Sequence, residues 1–569
     1  MRYSKQKNNS SLSVSLPEAA WERENEVAEL IDKLLLANAN VLVVGAQGAG
    51  KSAVIQQAIK QITLKSKGQP IGLTFWQITP QRITAGSKYL GDWEESIESM
   101  IRELAVVNGI LWVDQIIQLL MQGGEAAEDS IASFLIPFLQ SNKIRLLGEV
   151  TPQELESMRR SLPGFVEYFQ LITLETLPEK KNQFIFAKFA DFSQKKLGVS
   201  IESTALTQTY RLLQRYYPYE AFPGKALRFL SSSIHNIRQE KRTSLRSTDI
   251  VEQFIKQSGL PSIFLRDDIK LYPNQVKEYF TQRIIGQNNV VEVLTDIIKV
   301  YKAGLNDPSK PIATLLFAGP TGVGKTASAK ALAQYFFGQG QKRLPLIRID
   351  MSEFQHAHQF LRFIGIGKEV GQLVKEVREH PFAVLLLDEI EKAHPAIFDS
   401  LLTVLDEGFL LDHFGRLTNF RNTIIIMTTN LGASNRSALG FKDTTSEAAR
   451  YDAAIRQFFR PEFVNRIDHI VQFNSLNQQD VERILLKELE ELKQREGYEK
   501  RNLQLSFSSN LIQHIAKVGF DPKYGARPLQ RSIEHNITNP MAKWMLIHGE
   551  TESKSLWLDW DNGLSVSIL

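Results

Sequence analysis

Residues 319–326 read Gly-Pro-Thr-Gly-Val-Gly-Lys-Thr, between the apolar run Ala313 to Ala318 and an Ala-rich helical segment. This placement predicts a tight loop at a strand-to-helix corner, the setting of a phosphate-binding P-loop. The glycines let backbone N–H groups turn inward around an anion, and the helix N-terminus adds partial positive charge. The residues expected to bind a nucleotide and its Mg²⁺ are Gly319, Gly322, Gly324, Lys325 and Thr326, with the Thr326 hydroxyl directed to the metal.

A second part of the same site follows downstream. The run Ala383 to Leu387 predicts a buried strand, and it ends in Asp388 and Glu389. At the tip of such a strand, Asp388 can hold Mg²⁺ through water and Glu389 can polarise the attacking water. The two parts together predict a site that binds a nucleotide with Mg²⁺ and can activate a water for its hydrolysis.

Size and composition limit the class of protein. The chain has 569 residues, of which 43% are hydrophobic and 23% charged, values that predict an ordinary globular protein of several domains. A net charge of +4 gives no sign of nucleic-acid or membrane binding, and the absence of cysteine excludes disulfides and thiolate metal sites. No apolar run is long enough to span a membrane, and the Ser/Asn/Lys-rich start lacks a secretory signal. We therefore expect a soluble, cytoplasmic protein.

A second P-loop shows that the chain contains an internal duplication. Residues 45–52 read Gly-Ala-Gln-Gly-Ala-Gly-Lys-Ser and follow the apolar run Asn40 to Val44. Two such loops, each followed by alternating strand and helix patterns, predict two α/β modules with largely parallel sheets. The nucleotide-binding residues expected here are Gly45, Gly48, Gly50, Lys51 and Ser52, with Ser52 as the Mg²⁺ ligand.

The acid-tipped strand of the first module differs from that of the second. It runs from Gly109 to Asp114, but the next residue is Gln115 rather than a glutamate. Glutamine carries no negative charge to polarise a lytic water. Lys51, Ser52 and Asp114 could still bind Mg²⁺–nucleotide, so the first site is predicted to bind nucleotide without hydrolysing it quickly.

Helical patterns follow each α/β module and predict a small lid domain in each half. The expected order is a flexible N-terminal segment (1–17), a first α/β module (18–176), a first helical lid (177–260) and a linker (261–274). A second α/β module (275–473) and a second lid of helices with terminal strands (474–569) complete the chain.

The second module resembles the second ATPase module of the Clp family of AAA+ protein unfoldases. The matching motifs lie in order over residues 283–287, 319–326, 350–353 (Asp-Met-Ser-Glu), 387–395 (Leu-Asp-Glu-Ile-Glu-Lys-Ala-His-Pro), 420–423, 427–432, 459–468 and 525–529. Residues 15–260 resemble the first Clp module more weakly. The resemblance is to ClpA- and ClpC-like proteins and implies two P-loop AAA+ modules, each with a helical lid.

The resemblance implies roles for individual residues of the second module. Asn430 would sense the γ-phosphate, Arg527 on the lid would contact the phosphates, and Ile285 would line the nucleotide site. Arg466 would be an arginine finger, which stabilises the transition state at a neighbouring subunit and is worth about 10³–10⁵ in rate. A finger acting between subunits requires a closed ring or a helical array. The family forms hexamers, so the resemblance implies a homo-hexamer or a mixed ring with a related Clp subunit.

Two departures from the family concern hydrolysis and substrate grip. The arginine pair of the first module is replaced by Glu167 and Tyr168, and an acid there would repel a neighbour's γ-phosphate. In the second module the pore segment, Leu361 to Leu373, is shorter than in the family and has no aromatic tip, for which Ile366 is a weak substitute. The first module keeps Gly-Ser-Lys-Tyr-Leu-Gly at residues 86–91, so Tyr89 is the candidate for gripping a polypeptide; an ordinary surface or packing tyrosine is the alternative.

Two further comparisons concern partners. The first module begins near residue 18 and no coiled-coil insertion lies between Ser233 and Arg246, so we expect neither the family's N-terminal adaptor-binding domain nor disaggregation. Residues Leu439, Gly440 and Phe441 resemble the tip by which ClpA and ClpC dock on a ClpP-type peptidase; an ordinary loop with one apolar anchor is the alternative. Peptidase activity of the chain itself is not expected.

The function that the sequence favours is a Clp-like ATPase, or AAA+ chaperone, that remodels or threads protein substrates with ATP hydrolysed in the second module. The alternative is a ring-forming scaffold or regulator that uses ATP for assembly and no longer threads protein. A nucleic-acid-handling protein is the least favoured, because the sequence has no basic arm or nucleic-acid module.

Overall fold

The computed structural model describes residues 19–65, 72–81, 92–124, 127–266, 268–338, 343–366, 369–411, 417–433, 447–521, 525–548 and 554–568. These residues form two compact units. The first consists mainly of the chain up to Gln257, and the second mainly of the chain from Ser258 onward.

The first unit is built on a parallel sheet of five strands in the order β2-β3-β4-β1-β5. Strand β1 is buried at all six of its residues, as expected of a central strand covered by helices on both faces. On one face its apolar side chains join a cluster with two helices, Glu24–Leu35 and Lys51–Lys65, and the other face carries a second apolar cluster. The strands are β1 (Asn40–Gly45), β2 (Thr74–Ile78), β3 (Gly109–Val113), β4 (Arg145–Val150) and β5 (Phe169–Leu174).

Helices alternate with the strands of this sheet, and the chain after β5 is mainly helical. Those of the α/β part are α1 (Glu24–Leu35), α2 (Lys51–Lys65), α3 (Asp92–Val106), α4 (Gln118–Met121), α5 (Ile131–Gln140) and α6 (Pro152–Ser161). The following part contains α7 (Glu179–Phe192), α8 (Ser203–Tyr216), α9 (Gly224–Gln239) and α10 (Ser247–Ser258), with the short parallel pair β6 (Ser200–Ile201) and β7 (Ser244–Leu245). Only residues 240–243 connect α9 to β7.

The second unit repeats the same sheet. Its five parallel strands lie in the order β9-β12-β15-β8-β16, so each strand takes the place of its counterpart in the first unit. This repetition, with helices around both parallel sheets, confirms the fold class expected from the duplicated P-loops. The strands are β8 (Ala313–Ala318), β9 (Leu346–Asp350), β12 (Val384–Asp388), β15 (Ile424–Thr429) and β16 (His469–Gln472). Two small sheets pair β10 (Gly365–Ile366) with β11 (Glu369–Val370) and β13 (Phe409–Leu411) with β14 (Leu417–Asn419).

The remaining helices divide between the α/β part of the second half and the chain after β16. The former are α11 (Ser262–Leu265), α12 (Pro273–Arg283), α13 (Asn288–Ala303), α14 (Lys325–Phe337), α15 (Ala357–Ile364), α16 (Gln372–Glu379), α17 (Pro395–Glu407), α18 (Glu447–Phe458) and α19 (Pro461–Val464). The latter are α20 (Gln478–Lys493), α21 (Glu496–Glu499), α22 (Ser509–Val518), α23 (Arg527–Ile533) and α24 (Asn539–Ile547). A three-stranded sheet contains β17 (Gln504–Phe507), β18 (Ser555–Trp560) and β19 (Leu564–Ile568). In the chain, β17 follows α21, and β18 and β19 follow α24. Among the described helices, none has both the length and the apolar character that crossing a membrane requires.

Candidate nucleotide sites

The second P-loop holds its lysine in a cage of oxygen atoms. Lys325 is 9% exposed, and its Nζ donates hydrogen bonds to the carbonyl oxygens of Gly319 (2.5 Å), Pro320 (3.2 Å) and Thr429 (3.0 Å). It also donates to Oδ1 of Asn430 at 2.7 Å. The expected sensor residue and the P-loop lysine, 105 residues apart in sequence, are therefore in direct contact.

Burial also changes the acid–base character of this lysine. Desolvation lowers the pKa of Lys325 to about 8, although the nearby carboxylates of Glu391, Asp388 and Glu389 act in the opposite direction. An ammonium group that has lost water and has neutral carbonyl and amide oxygens as hydrogen-bond acceptors is prepared to bind an anion.

A threonine hydroxyl connects the two acids at the tip of β12. Thr428 on β15 donates to Oδ1 of Asp388 at 2.5 Å and accepts a hydrogen bond from the backbone N–H of Glu389 at 3.0 Å. The other oxygen of Asp388 accepts from Arg348 at 2.6 Å. Glu389 has left-handed backbone angles (φ 55°, ψ 53°), which are rare for a residue with a side chain. Such strain is often kept where a side chain must be aimed at a site.

A third acid contacts Asn430, the expected sensor residue. The backbone N–H of Asn430 donates to Oε1 of Glu391 at 3.1 Å. The other oxygen, Oε2, is buried and has no hydrogen-bond partner among the described residues. Glu391 therefore fixes the start of the segment after β15 and leaves one acceptor free beside the lysine cage.

The chain before α23 packs directly on the second P-loop. The N–H of Ala526 donates to the carbonyl of Gly322 at 3.2 Å. Gly525 has a left-handed φ of 60°, and a Cβ there would lie only 2.8 Å from that same carbonyl oxygen. Glycine is thus required both by the backbone angle and by the close approach. Through this contact the exposed Arg527, at the start of α23, reaches the nucleotide site.

Most of the side chains described above line one cavity of about 410 Å³, a volume in the range of small-ligand sites. A Cβ built on Gly324, whose φ is 104°, would meet nothing within 4 Å, so the loop is open toward this space. An anion-binding loop, a buried lysine and acids on one side fit a Mg²⁺–nucleotide. The residues expected from sequence that line the cavity are Ile285, Gly322, Gly324, Lys325, Thr326, Asp388, Glu389, Asn430 and Arg527.

Arg466 is not among the residues that line this cavity. It lies between α19 and β16, its side chain is 46% exposed, and it forms an ion pair with Asp406 of 2.7 Å between Nη1 and Oδ1. The structure therefore separates Arg466 from the other expected site residues of its own chain.

In the first P-loop, carbonyl oxygens likewise surround the lysine, although fewer of them are hydrogen-bond partners among the described residues. Lys51 Nζ donates to the carbonyl oxygens of Gly45 (2.7 Å) and Ala46 (3.1 Å), and burial lowers its pKa. The lid again packs on the loop, because the N–H of Gly224 donates to the carbonyl of Gly48 at 3.0 Å. A Cβ on Gly224 would lie 2.6 Å from Gly48, so this contact also requires glycine.

Strand register shows which residues of the two sites correspond. Val113 lies opposite Gly148 as Leu387 lies opposite Met427, so the next residues, Asp114 and Asp388, occupy the same place in the two sheets.

The residues that follow the two aspartates differ. Oδ1 of Asp114 is buried without a hydrogen-bond partner in the described part of the chain. Gln115, at the position of Glu389, is exposed and accepts a hydrogen bond from Gln118. It therefore adds no charge where the second site has its glutamate.

The first site contains an acid that sequence reasoning missed. Glu149 on β4 is 7% exposed and accepts hydrogen bonds from Ser52 Oγ (2.8 Å) and Trp112 Nε1 (3.2 Å). Burial raises the pKa of this carboxyl group, while the bond from Ser52 and the charge of Lys51 oppose the rise. The signal in the sequence was a single acid within an otherwise apolar stretch, residues 146–150.

Register likewise identifies the counterpart of Arg466. Ile172 lies opposite Val43, two residues before the first P-loop, and Val471 lies opposite Phe317, two residues before the second. Counting back five residues from each reaches Glu167 and Arg466. Glu167 is exposed in a 3₁₀ turn before β5, so an acid stands where the second unit has its arginine.

Two groups of expected residues cannot be placed. Tyr89, and the Leu439, Gly440 and Phe441 segment, lie outside the described residues. The side chain of Ile366 is also outside them.

Comparison with known proteins agrees with this geometry. The profile described as "ATPase family associated with various cellular activities (AAA)" matches residues 41–161, and "AAA domain (Cdc48 subfamily)" matches residues 310–470. The profile "C-terminal, D2-small domain, of ClpB protein" matches residues 476–556. The chain is 30% identical to the chaperone protein ClpB of Oceanobacillus iheyensis over 92% of its own length and 74% of the relative's. It belongs to the Clp family of AAA+ proteins.

Other Clp relatives and solved structures extend this result. The chain is 28% identical to the ATP-dependent Clp protease ATP-binding subunit ClpC of Staphylococcus saprophyticus, over 95% of the chain and 75% of that protein. An S. cerevisiae Hsp104–ADP complex superposes with a TM-score of 0.71 at 27% identity, covering 97% of both chains. A closed-state reconstruction of Hsp104 with ATPγS and FITC casein gives 0.65 at 28% identity, covering 96% of this chain and 95% of that one. The chain is an AAA+ ATPase of the Clp family.

Proposed function

We propose that this Clp-family ATPase hydrolyses ATP in its second module to remodel or thread protein substrates. In this proposal the first module binds ATP without fast hydrolysis and stabilises the assembly. One observation supports it above all. The lysine, both acids and the sensor share one cavity in the second unit, whereas the first unit has Gln115 and Glu167 at the positions of Glu389 and Arg466.

The second site supplies a group for each requirement of phosphoryl transfer. Bound Mg²⁺ would neutralise charge on the phosphates, with Thr326 and Asp388 as the residues that would hold it. Glu389 is aimed by its left-handed backbone and by Thr428 to polarise the attacking water. Lys325 and Asn430 would bind the terminal phosphate, since they already share a hydrogen bond at the loop.

The two arginines have different positions and, we propose, different roles. Arg527 lines the cavity beside the P-loop and would bind the phosphates of the nucleotide held by its own chain. This contact would couple the position of the lid to the state of the nucleotide. Arg466 lies outside the lining and would act on the nucleotide of a neighbouring subunit. A finger that acts between chains requires a closed ring or a helical array. The proposed assembly is a homo-hexamer or a mixed ring with a related Clp subunit.

The proposed substrates are proteins. The names of similar proteins support this: a chaperone, the ATP-binding subunit of a protease, and Hsp104 solved with casein. Tyr89 is the proposed gripping residue, and the segment from Leu439 to Phe441 is the proposed contact with a ClpP-type peptidase. A cytoplasmic location is proposed with these partners.

Single-site variants test which module hydrolyses ATP. Lys325→Ala should remove nearly all steady-state ATPase activity, whereas Lys51→Ala should leave turnover per assembled ring largely intact. Activity that survives Lys325→Ala and disappears in assembled Lys51→Ala rings would show the opposite assignment. Gel filtration with ATP measures assembly in parallel, so that loss of the ring is not mistaken for loss of chemistry.

A ring-forming scaffold is the second candidate, favoured by the short pore segment from Leu361 to Leu373. The two functions differ in an unfolding assay on a tagged fluorescent protein. ATP-dependent loss of fluorescence that Tyr89→Ala abolishes would support threading. Brisk ATPase activity without unfolding, unchanged by Tyr89→Ala, would support the scaffold. A Glu389→Gln variant, expected to hold ATP without hydrolysing it, should capture a client protein in the first case only.

A further inference from the structure

Glu149 occupies a position that holds a threonine in the second unit. On β4 it lies opposite Val43, two residues before the first P-loop. On β15 the residue opposite Phe317, two residues before the second P-loop, is Thr428. The two positions are therefore equivalent in the two sheets. The short neutral hydroxyl that supports the acids of the second site is replaced by a carboxylate in the first.

The longer side chain reaches the P-loop itself. One carboxylate oxygen of Glu149 accepts the hydrogen bond of Ser52 Oγ at 2.8 Å, and the other accepts that of Trp112 Nε1 at 3.2 Å. Ser52 supplies the hydroxyl that a P-loop directs to Mg²⁺. Glu149 is only 7% exposed, so the residues packed around it fix the position of its side chain.

Besides burial, the pKa of Glu149 is raised by a second carboxylate, that of Asp114, which lies close enough for its negative charge to act. Asp114 follows β3 beside β4, and its Oδ1 is buried with no hydrogen-bond partner among the described residues. An unpaired buried carboxylate oxygen is costly unless a cation or donor completes it. Gln115 gives no help, because its side chain is exposed and bonded to Gln118.

We propose that Glu149, with Ser52 and Asp114, holds the Mg²⁺ ion that accompanies nucleotide in the first module, and makes nucleotide binding there depend strongly on that ion. The inference rests on the proposed function in one respect, that the first module binds ATP. Hard oxygen ligands of this kind are those that Mg²⁺ prefers. Without the ion, two carboxylates facing the same place would repel the phosphates.

The measurement is binding of a fluorescent ATP analogue to the full chain carrying Lys325→Ala, which removes the second site. The dissociation constant is determined with MgCl₂ and again with EDTA, and the ratio of the two constants is the readout. Glu149→Thr restores the residue type of the second unit, and Glu149→Gln keeps the shape without the charge. Glu154→Gln is the matched control, because Glu154 also acts on the charge of Lys51 but hydrogen-bonds to Thr151 rather than to Ser52.

We expect both Glu149 variants to reduce the EDTA-to-Mg²⁺ ratio by about tenfold or more, through weaker binding with Mg²⁺ and tighter binding with EDTA. Glu154→Gln should leave the ratio nearly unchanged. Binding with an unaltered ratio in both Glu149 variants would overturn the inference and leave the proposed function standing. No binding to the first site in either condition would overturn both. Circular dichroism and assembly with ATP identify a variant that has failed to fold, in which case the other variant decides.

Discussion

Arg466 forms an ion pair with Asp406, with 2.7 Å between Nη1 of the arginine and Oδ1 of the aspartate. Neither residue lines the nucleotide cavity of its own unit. The pair is partly exposed, at 46% for the arginine and 30% for the aspartate, so water screens it and little free energy opposes its exchange for a phosphate. An arginine placed in this way is suited to act on a neighbouring subunit.

Replacement of Arg466 by alanine should lower kcat by about 10³-fold with little change in ATP affinity, because a finger acts on the transition state. Glu167→Ala, at the matching position of the first unit, is the control and should leave kcat within about twofold. Steady-state ATPase rates and labelled-ATP binding measure the two quantities. A similar loss in both variants would contradict the assignment.

Mixed rings test whether the finger acts between chains. Arg466→Ala retains Glu389, and Glu389→Gln retains Arg466, so each inactive variant supplies what the other lacks. If the finger acts on the neighbour, the mixture should show clearly more ATPase activity than the sum of the separate variants. Activity no greater than that sum, in mixed rings verified by tag pull-down, would place the finger in its own chain's site.

Thr428 should matter for catalysis although it performs no chemistry. Thr428→Val removes the hydroxyl that binds Asp388 and the N–H of Glu389, so both acids lose their alignment. We expect kcat to fall by about tenfold to a hundredfold and the Mg²⁺ concentration for half activity to rise. Thr423→Val is the matched control, since Thr423 is equally buried just before the start of the strand, and its hydroxyl donates to the carbonyl of Phe420, away from the acids. Equal losses in the two variants would mean that lost stability is the cause.

Sequence predicted the fold class because its signals are local. Each P-loop joins a buried apolar strand to a helix, and each acid follows a strand whose apolar run identifies it. Asp388, Lys325 and Asn430 are far apart in the chain, but parallel strands bring their carboxyl ends to one edge of the sheet, so their meeting could be anticipated. The domain boundaries and the chemical roles of these residues remain predictions.

Glu149 could not be predicted, because its meaning depends on register rather than on a motif. When only the sequence is known, a lone glutamate in an apolar strand has several explanations. The pairing of Glu149 with Val43 in the sheet is what brings its carboxylate within hydrogen-bond distance of Ser52. The contacts of Gly525 and Gly224 with the P-loops were missed for the same reason. Each contact joins segments about two hundred residues apart, so no local sequence pattern indicates it.

The contact between Gly525 and the P-loop should control ATP affinity. Gly525→Ala adds a Cβ 2.8 Å from the carbonyl oxygen of Gly322 at a left-handed φ, so the chain before α23 must move away. We expect the Kd for ATP at the second site to rise by about tenfold, because Arg527 moves with this segment. Gly497→Ala is the control, because a Cβ there meets nothing within 4 Å. Binding in a Lys51→Ala background isolates the second site, and unchanged affinity in Gly525→Ala would show that the contact is dispensable.

A buried lysine in the first lid should make stability depend on pH. Lys225 is 6% exposed, donates to the carbonyl of Tyr217 at 2.7 Å and lies 3.9 Å from the centre of the Phe222 ring. Burial lowers its pKa to about 8, with the charge of Glu220 opposing the shift. The folded lid therefore resists the charged form of this lysine.

Between about pH 8 and the ordinary lysine pKa of 10.5, the unfolded chain binds more protons at residue 225 than the folded chain does. The free energy of unfolding should therefore rise with pH across this window, by about 1–2 kcal/mol after allowance for screening by solvent. Below about pH 8 this residue contributes no slope, because it is charged in both states. Lys225→Met should lose the rise. Lys188→Met is the control, since the exposed Lys188 lies 5.1 Å from the Phe184 ring centre without this burial. Urea unfolding at about pH 7.5 and about pH 10 compares the three proteins, and an equal rise in all of them would show that Lys225 keeps an ordinary pKa.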